Sequence, residues 1–482
     1  MKKSLIAVPA ALSAALPLSY AAAKAVKIKA KPVNERPAAP FTAADAEKYA
    51  RSLSEMIKVP TVSVKEGGDK AIFYELQAVM AQQFPLIFEK LEKIDLDGNL
   101  LLRWKGKDPS KKPLLLMGHQ DVVPADENNW VHAPFSGDIE DGKVHGRGAM
   151  DCKCTVCAEM WAVEELLERG FTPERDVYLA SSTNEEISGG GAQKIVKYFA
   201  DNNIRLAAAM DEGGAIVDGI MPGMDTLCAA VGICEKGSAN IKFTAKSNGG
   251  HSSTPPKNDP FTRLAAFITD VEKHDPFKAK LTPPVLGMFD HVAPYLPFPL
   301  RMLLGNMNIF GPLVKTAMPV VSPMAKAFLK TSYVFTMAQG SGAPNVIPGE
   351  AYVIANIRPS LTQDLDTCFD ILKKIAAKYD VEAELLFGNS ASAAVPLDSG
   401  ELAYVGQCVD KCYPGYCFTP YMQTGGTDCR YFESVCDNCL RFTPIAMDSQ
   451  QLAAMHGANE NIGVDAVAAG VKFYEYWLEH HE

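Results

Sequence analysis

Residues 113–121 read PLLLMGHQD, a short apolar run that ends in a glycine, a histidine and, two residues on, an aspartate. The run is too short for a buried helix and is bounded by Lys-Pro on one side and polar residues on the other, so it reads as a buried strand. Residues 177–181 (VYLAS) and 206–210 (LAAAM) repeat the pattern. Between the first two lies residues 155–169, with Val156, Met160, Val163 and Leu167 at helical spacing and Gly170 as a stop. Strands that alternate with a helix predict an α/β layered domain with a mostly parallel sheet.

Each run leads into polar residues. The first is followed by His119-Gln120-Asp121, the second by Asn184-Glu185-Glu186, the third by Asp211-Glu212-Gly213-Gly214. In an open parallel sheet, ligands collect beyond the carboxyl ends of the strands, so these groups are expected to converge although they are far apart in the chain. Asp151, after the loop Gly146-Arg147-Gly148-Ala149-Met150, and His456 are candidates to join them. Imidazole and carboxylate are the ligand types of zinc, and a catalytic site leaves one position for water. Two neighbouring cations need a bridging oxygen ligand, a role open to Asp151. In the pair Glu185-Glu186 one carboxylate can ligate while the other takes a proton from water. Asp121 can accept the second ring N–H of His119 and fix its tautomer. Each piece alone is weak, since an acidic pair is by default a solvated face; the ordered set of strand ends makes the case.

At 482 residues the chain exceeds what one hydrophobic core normally serves, and two domains are expected. Residues 41–237 and 394–482 carry the α/β pattern. Residues 238–393 differ, with strands at 240–244, 352–357 and 383–387 and helices at 261–273 and 365–378; they read as an inserted α+β domain, a lid or dimerisation unit. Within it, residues 282–326 are rich in Pro, Leu, Met and Phe with few charges. That segment is read as extra core or a dimer surface by default, or as an enlarged apolar acyl pocket. The net charge of −10 argues against a nucleic-acid partner.

Residues 1–40 form an export or anchor segment plus linker. Lys2 and Lys3 precede an apolar, Ala-rich run with small residues near 19–23, the layout of a secretory signal, while an uncleaved run would be a membrane tether. Pro9 and Pro17 tell against a spanning anchor. Twelve cysteines pull the other way, toward buried free thiols in a reducing compartment; Cys152 and Cys154 flank Lys153 beside Asp151.

The ordered motifs match a known family. Residues 117–124 (MGHQDVVP), 130–151, Asn184-Glu185-Glu186, 210–214 (MDEGG), 250–253 (GHSS), 345–348 (NVIP), 356–359 (NIRP), 425–428 (GGTD) and 456–460 (HGANE) resemble the zinc-dependent aminoacylase and carboxypeptidase family. That family includes glutamate carboxypeptidase, succinyl-diaminopimelate desuccinylase and the vacuolar Gly-Xaa carboxypeptidases. The resemblance implies two divalent metal ions, zinc by type. His119 and Asp211 would hold one, Glu186 and His456 the other, with Asp151 bridging. It implies Glu185 as general base, Asp121 behind His119, and His251 polarising the scissile carbonyl, often across a dimer. Arg358 and Asn345, with Gly425 and Gly426 lining the same pocket, would receive the substrate's free carboxylate. The implied reaction is hydrolysis of the amide bond next to that carboxylate, as a carboxypeptidase or dipeptidase on short peptides. An N-acyl amino acid amidohydrolase is the alternative, and a catalytically inactive binding protein on the same scaffold is the alternative of another class.

Overall fold

The computed structural model describes residues 7–28, 40–65 and 67–481, with side chains from Pro17 onward. Its largest sheet has ten strands. Leu114–His119 lies at its centre, parallel to both Val177–Ser182 and Ala208–Asp211. Ala208–Asp211 in turn runs parallel to Cys439–Arg441, and Cys417–Gln423 runs parallel to Cys228–Glu235. Antiparallel strands Asn99–Trp104 and Glu92–Leu96 close one side.

The central strands are apolar throughout because both sheet faces are covered. Leu114 and Leu116 enter one core, shared with the helices Lys153–Glu168 and Val464–Glu479; Leu115 and Met117 enter another, beneath Gly191–Asp201 and Phe432. Val177 and Leu179 divide from Tyr178 and Ala180 in the same way. This period of two is the pleat itself. The helix expected over 155–169 spans Lys153–Glu168 and is buried along almost its whole length, packed on the C-terminal helix Val464–Glu479.

A second sheet is four-stranded and antiparallel, in the order Ser332–Gln339, Glu350–Arg358, Ser238–Lys246, Glu382–Asn389. Here burial alternates along Glu350–Arg358, since only one face is covered. The covering helices are Pro260–Lys273 and Leu365–Ala377, around Phe243, Phe267 and Phe335. The intervening Pro- and Met-rich segment does not join this core. Its helix Pro283–Val292 packs on Cys417–Gln423 of the large sheet, and its apolar side chains share a cluster with Met224, Cys228 and Cys417. All twelve cysteines carry free thiols, and Cys412 alone is not fully buried.

Among the described residues, no helix is long and apolar enough to cross a membrane. The helix Ala7–Lys27 carries Pro17 inside it, and its later part docks on the body, with Ala21 and Ala25 fully buried.

Leu116, fully buried at the centre of the large sheet, sets the scale of core stability. Leu116→Ala is expected to cost about 3–4 kcal/mol, a deleted side chain plus the cavity it leaves. Urea denaturation should show a lowered midpoint with an unchanged slope.

Candidate metal centre

The parallel strands end on one edge, and that edge carries the acids and imidazoles. His119 is the last residue of its strand; Glu185 and Glu186 open a short turn three residues past Ser182; Asp211 is the last residue of its strand. Asp151 precedes the Lys153–Glu168 helix, and His456 follows the short helix Ser449–Ala454.

Asp151 is the hub. One carboxylate oxygen lies 2.9 Å from His119 Nε2, and the other lies 3.0 Å from His456 Nε2. His456 Nε2 is also 3.1 Å from a Glu186 oxygen. The opposite nitrogen of His119, Nδ1, lies 2.8 Å from the Asp121 carbonyl, which must receive the ring proton. That leaves the Nε2 lone pair facing the Asp151 carboxylate, two acceptors at hydrogen-bonding distance. Only a cation between them or a charged imidazole satisfies both. Although burial opposes it, the Cys152 sulfur and then the Asp121 and Asp151 carboxylates hold the His119 pKa well above the usual range. His456 is raised to about 10 by its hydrogen bonds to Asp151 and Glu186. Asp151 is held far below the carboxylate range by the two imidazoles, against its own burial. Burial pushes Glu185 and Glu212 well above theirs. Buried carboxylates converging on two imidazoles are the donor set of a divalent-cation site.

Backbone amides and ion pairs fix this geometry. Glu460 accepts from the amides of Gly148, Met150 and Asp151 and pairs with Arg147 Nη1 at 2.6 Å, tying the Asp151 loop to the segment that carries His456. The Asp121 carboxylate accepts from the amides of Glu185 and Glu186, at 3.1 and 3.2 Å, and from Ser63. The Asp121 carbonyl is the nearer partner of His119 Nδ1, and the carboxylate lies 3.5 Å from the same nitrogen. Cys152 also packs here, its sulfur accepting from the His119 amide at 3.1 Å, in line with a structural role for the buried thiol.

Asp211 departs from expectation. Its two oxygens accept from the amides of Glu212, at 2.8 Å, and Cys429, at 2.7 Å, and burial with the nearby Asp428 raises its pKa to about 8. The neighbouring Glu212 lines the cavity instead, within electrostatic reach of Asp151, His119 and Glu186. Successive side chains on a strand point to opposite sides, so the adjacent acids cannot share one role. Both following glycines are required by close approach. A Cβ on Gly213, whose φ is +114°, would lie 2.4 Å from Gln423, and one on Gly214 would lie 2.3 Å from the Ala230 carbonyl.

The acids open into a cavity of about 380 Å³. Arg358, Arg430, Ser238 and Asn389 line part of it with Gly425 and Gly426; Met150, Met447, Leu452 and Met455 also contribute. Burial and the neighbouring Arg430 lower the Arg358 pKa. Arg430 Nη1 is held by buried Glu235 at 2.7 Å, and Glu235 also anchors Thr427 and Arg441. His251 and Asn345 do not line this cavity. His251 is exposed on a short ladder with Val346, its Nδ1 at 2.8 Å from Ser253 Oγ, and the Asn345 carbonyl accepts from Ser252. The sequence reading missed Arg430, Glu460 and Glu212 as contributors, although Glu212 stood beside a residue it chose and Glu460 four places after His456.

Imidazoles and carboxylates gathered around Asp151, beside a cavity with two guanidiniums, are the donor set of a metallopeptidase-type hydrolase. The profile of Peptidase family M20/M25/M40 matches residues 115–480, and the chain belongs to that family. Among curated relatives, an "N-fatty-acyl-amino acid synthase/hydrolase" of Xenopus tropicalis is 31% identical over 448 residues, covering 91% of this chain and 87% of that protein. A "probable carboxypeptidase S-like 2" of Dictyostelium discoideum is 31% identical over 453 residues, covering 92% and 86%. Among solved structures, an M20 family metallo-carboxypeptidase of Sulfolobus solfataricus superposes with a TM-score of 0.65 at 20% identity, over 89% of this chain and 98% of that one.

Glu460→Ala removes the acceptor for three amides and leaves Arg147 as an unpaired buried charge. Denaturation should show a loss of about 3–5 kcal/mol. Calorimetric titration of the metal-free protein with zinc should show affinity reduced about 10- to 100-fold.

Proposed function

We propose that this chain hydrolyses the amide bond of N-acyl amino acids bearing a free carboxylate, using two divalent ions, zinc by donor type. The observation that carries the reading is the Asp151 carboxylate held between two imidazoles, one oxygen to each. His119, Asp151, Glu186 and His456 are the proposed ligands, with Glu212 in the place first given to Asp211. Bound there, the ions would lower the pKa of an attacking water and polarise the substrate carbonyl.

Glu185 is the proposed general base. Its amide is pinned by Asp121, and its buried carboxyl group holds a proton readily. It would take the proton from the attacking water and pass it to the leaving amine. Arg358 and Arg430 supply a planar, cationic surface for the substrate carboxylate. Met150, Met447, Leu452 and Met455, the last two with substantial exposure, offer a flexible apolar lining suited to an acyl chain. The similarity to an N-fatty-acyl-amino acid hydrolase supports that choice. Carboxypeptidase action on short peptides is the second reading. It is favoured by the likeness to carboxypeptidase S-like proteins and by a carboxylate site that both substrates would share.

Because His251 and Asn345 stand outside the cavity lining of their own chain, their proposed contribution requires a second copy docked through the inserted domain. Residues 1–40 are read as an export signal or tether. The buried Ala21 and Ala25 support retention of the segment from that point onward.

Glu185→Gln should keep its metal content, measured by elemental analysis, while kcat falls about a hundred- to ten-thousand-fold. Near-parental hydrolysis by a metal-loaded variant would remove Glu185 from the mechanism. Matched kinetics on a long-chain acyl-leucine and on Gly-Leu decide the substrate: a higher kcat/KM for the acyl compound is expected, and the reverse order selects the peptidase reading.

A further inference from the structure

The helices that follow Pro283–Val292 expose a face that catalysis does not use. Met307–Val321 buries Gly311 and Val314 but leaves Leu313, Val320 and Val321 exposed, at 59%, 85% and 77%; Met324, in the next helix Pro323–Leu329, is 61% exposed. Such exposure is high for large apolar side chains, and these follow one another along a single helical hairpin.

The charge of this stretch of sequence is one-sided. Between Asp290 and Glu350 the chain has no acidic residue, but it carries Arg301, Lys315, Lys326 and Lys330, in a protein whose net charge is −10. Lys326 and Lys330 pair with Asp275, whereas Lys315 stands exposed on the same helix as the apolar group. The same unit holds the N-terminal helix. Asn306 Nδ2 donates to the Ala21 carbonyl at 3.2 Å, and Arg301 Nη1 to the Ile28 carbonyl at 3.2 Å. Lys24 and Lys27 form the last turn of that helix.

We propose that the exposed face of Met307–Val321 and the start of Pro323–Leu329 lies on the surface of an anionic lipid bilayer. An apolar helical face on a segment that carries the exposed Lys315 and no acid of its own matches the boundary between headgroups and acyl chains, where apolar side chains leave water and a lysine meets lipid phosphate. A second copy fits less well, because it would bring like charges together. The helix rests on the surface and does not cross it, consistent with its length and its internal Pro312 and Pro319. The inference stands apart from the proposed chemistry, since none of these side chains lines the catalytic cavity.

The test is co-sedimentation of the full chain with phosphatidylcholine vesicles, with and without a quarter phosphatidylglycerol. Binding is expected on the phosphatidylglycerol vesicles, weakened by salt, and much less on phosphatidylcholine alone. The double variant V320D/V321D should lose about tenfold or more in partitioning, while its activity on a soluble substrate matches the parent and shows that it is folded. Three outcomes would overturn the proposal. The parent stays in the supernatant with both vesicles. The variant sediments as well as the parent, which assigns binding to the N-terminal run. Or the face drives a concentration-dependent dimer, lost in the variant, without vesicle binding.

Discussion

Two imidazoles facing one partly buried carboxylate is the arrangement on which the rest of this structure depends. A carboxylate and an imidazole lone pair repel at hydrogen-bonding distance, and neither tolerates burial without compensation. The protein brings them together regardless, with Glu185, Glu186 and Glu212 around the same point. Such a concentration of acid fits the metal-dependent family to which the chain belongs, and rigid elements hold the side chains in place.

That rigidity has identifiable sources. Glu460 gathers three amides of one loop, those of Gly148, Met150 and Asp151, and an arginine, which ties the Asp151 loop to the His456 segment. Asp121 does the same for the Glu185-Glu186 turn, and Glu235 for the loop with Thr427 and Arg430. In each case a buried acid accepts from backbone amides rather than from solvent, and positions a neighbour that faces the cavity. Such supporting contacts commonly tune metal affinity as strongly as the ligands do.

Much of this was legible along the chain. The buried strands at 114–119 and 177–182 announce themselves by short apolar runs, and the four-stranded sheet by its alternation, because burial on two faces or one leaves those two patterns. His119 and Glu186 meet because strand ends share an edge, whereas Asp151, before a helix, and His456, after one, are carried to that edge by their loops. The choice between Asp211 and Glu212 was not legible. Adjacent acids are equivalent as letters, and only the strand's pleat and the amide of Cys429, from a distant segment, decide which one turns inward. The Pro- and Met-rich segment was assigned by continuity to the inserted domain, yet it packs on the large sheet. Sequence order does not record which of two apolar surfaces a helix meets.

The sequence by itself determined the layered α/β architecture and the residue types of the candidate metal centre, since hydrophobic period and ligand chemistry are local properties of the chain; the reaction class came from the resemblance of its ordered motifs to a known family. Tertiary structure alone decided which oxygen of Asp121 meets His119, that Arg430 joins Arg358, and that His251 and Asn345 stand outside the cavity of their own chain. Apart from the local contact between His119 and Asp121, those placements join segments distant in the chain, and they come into being only when both cores have closed.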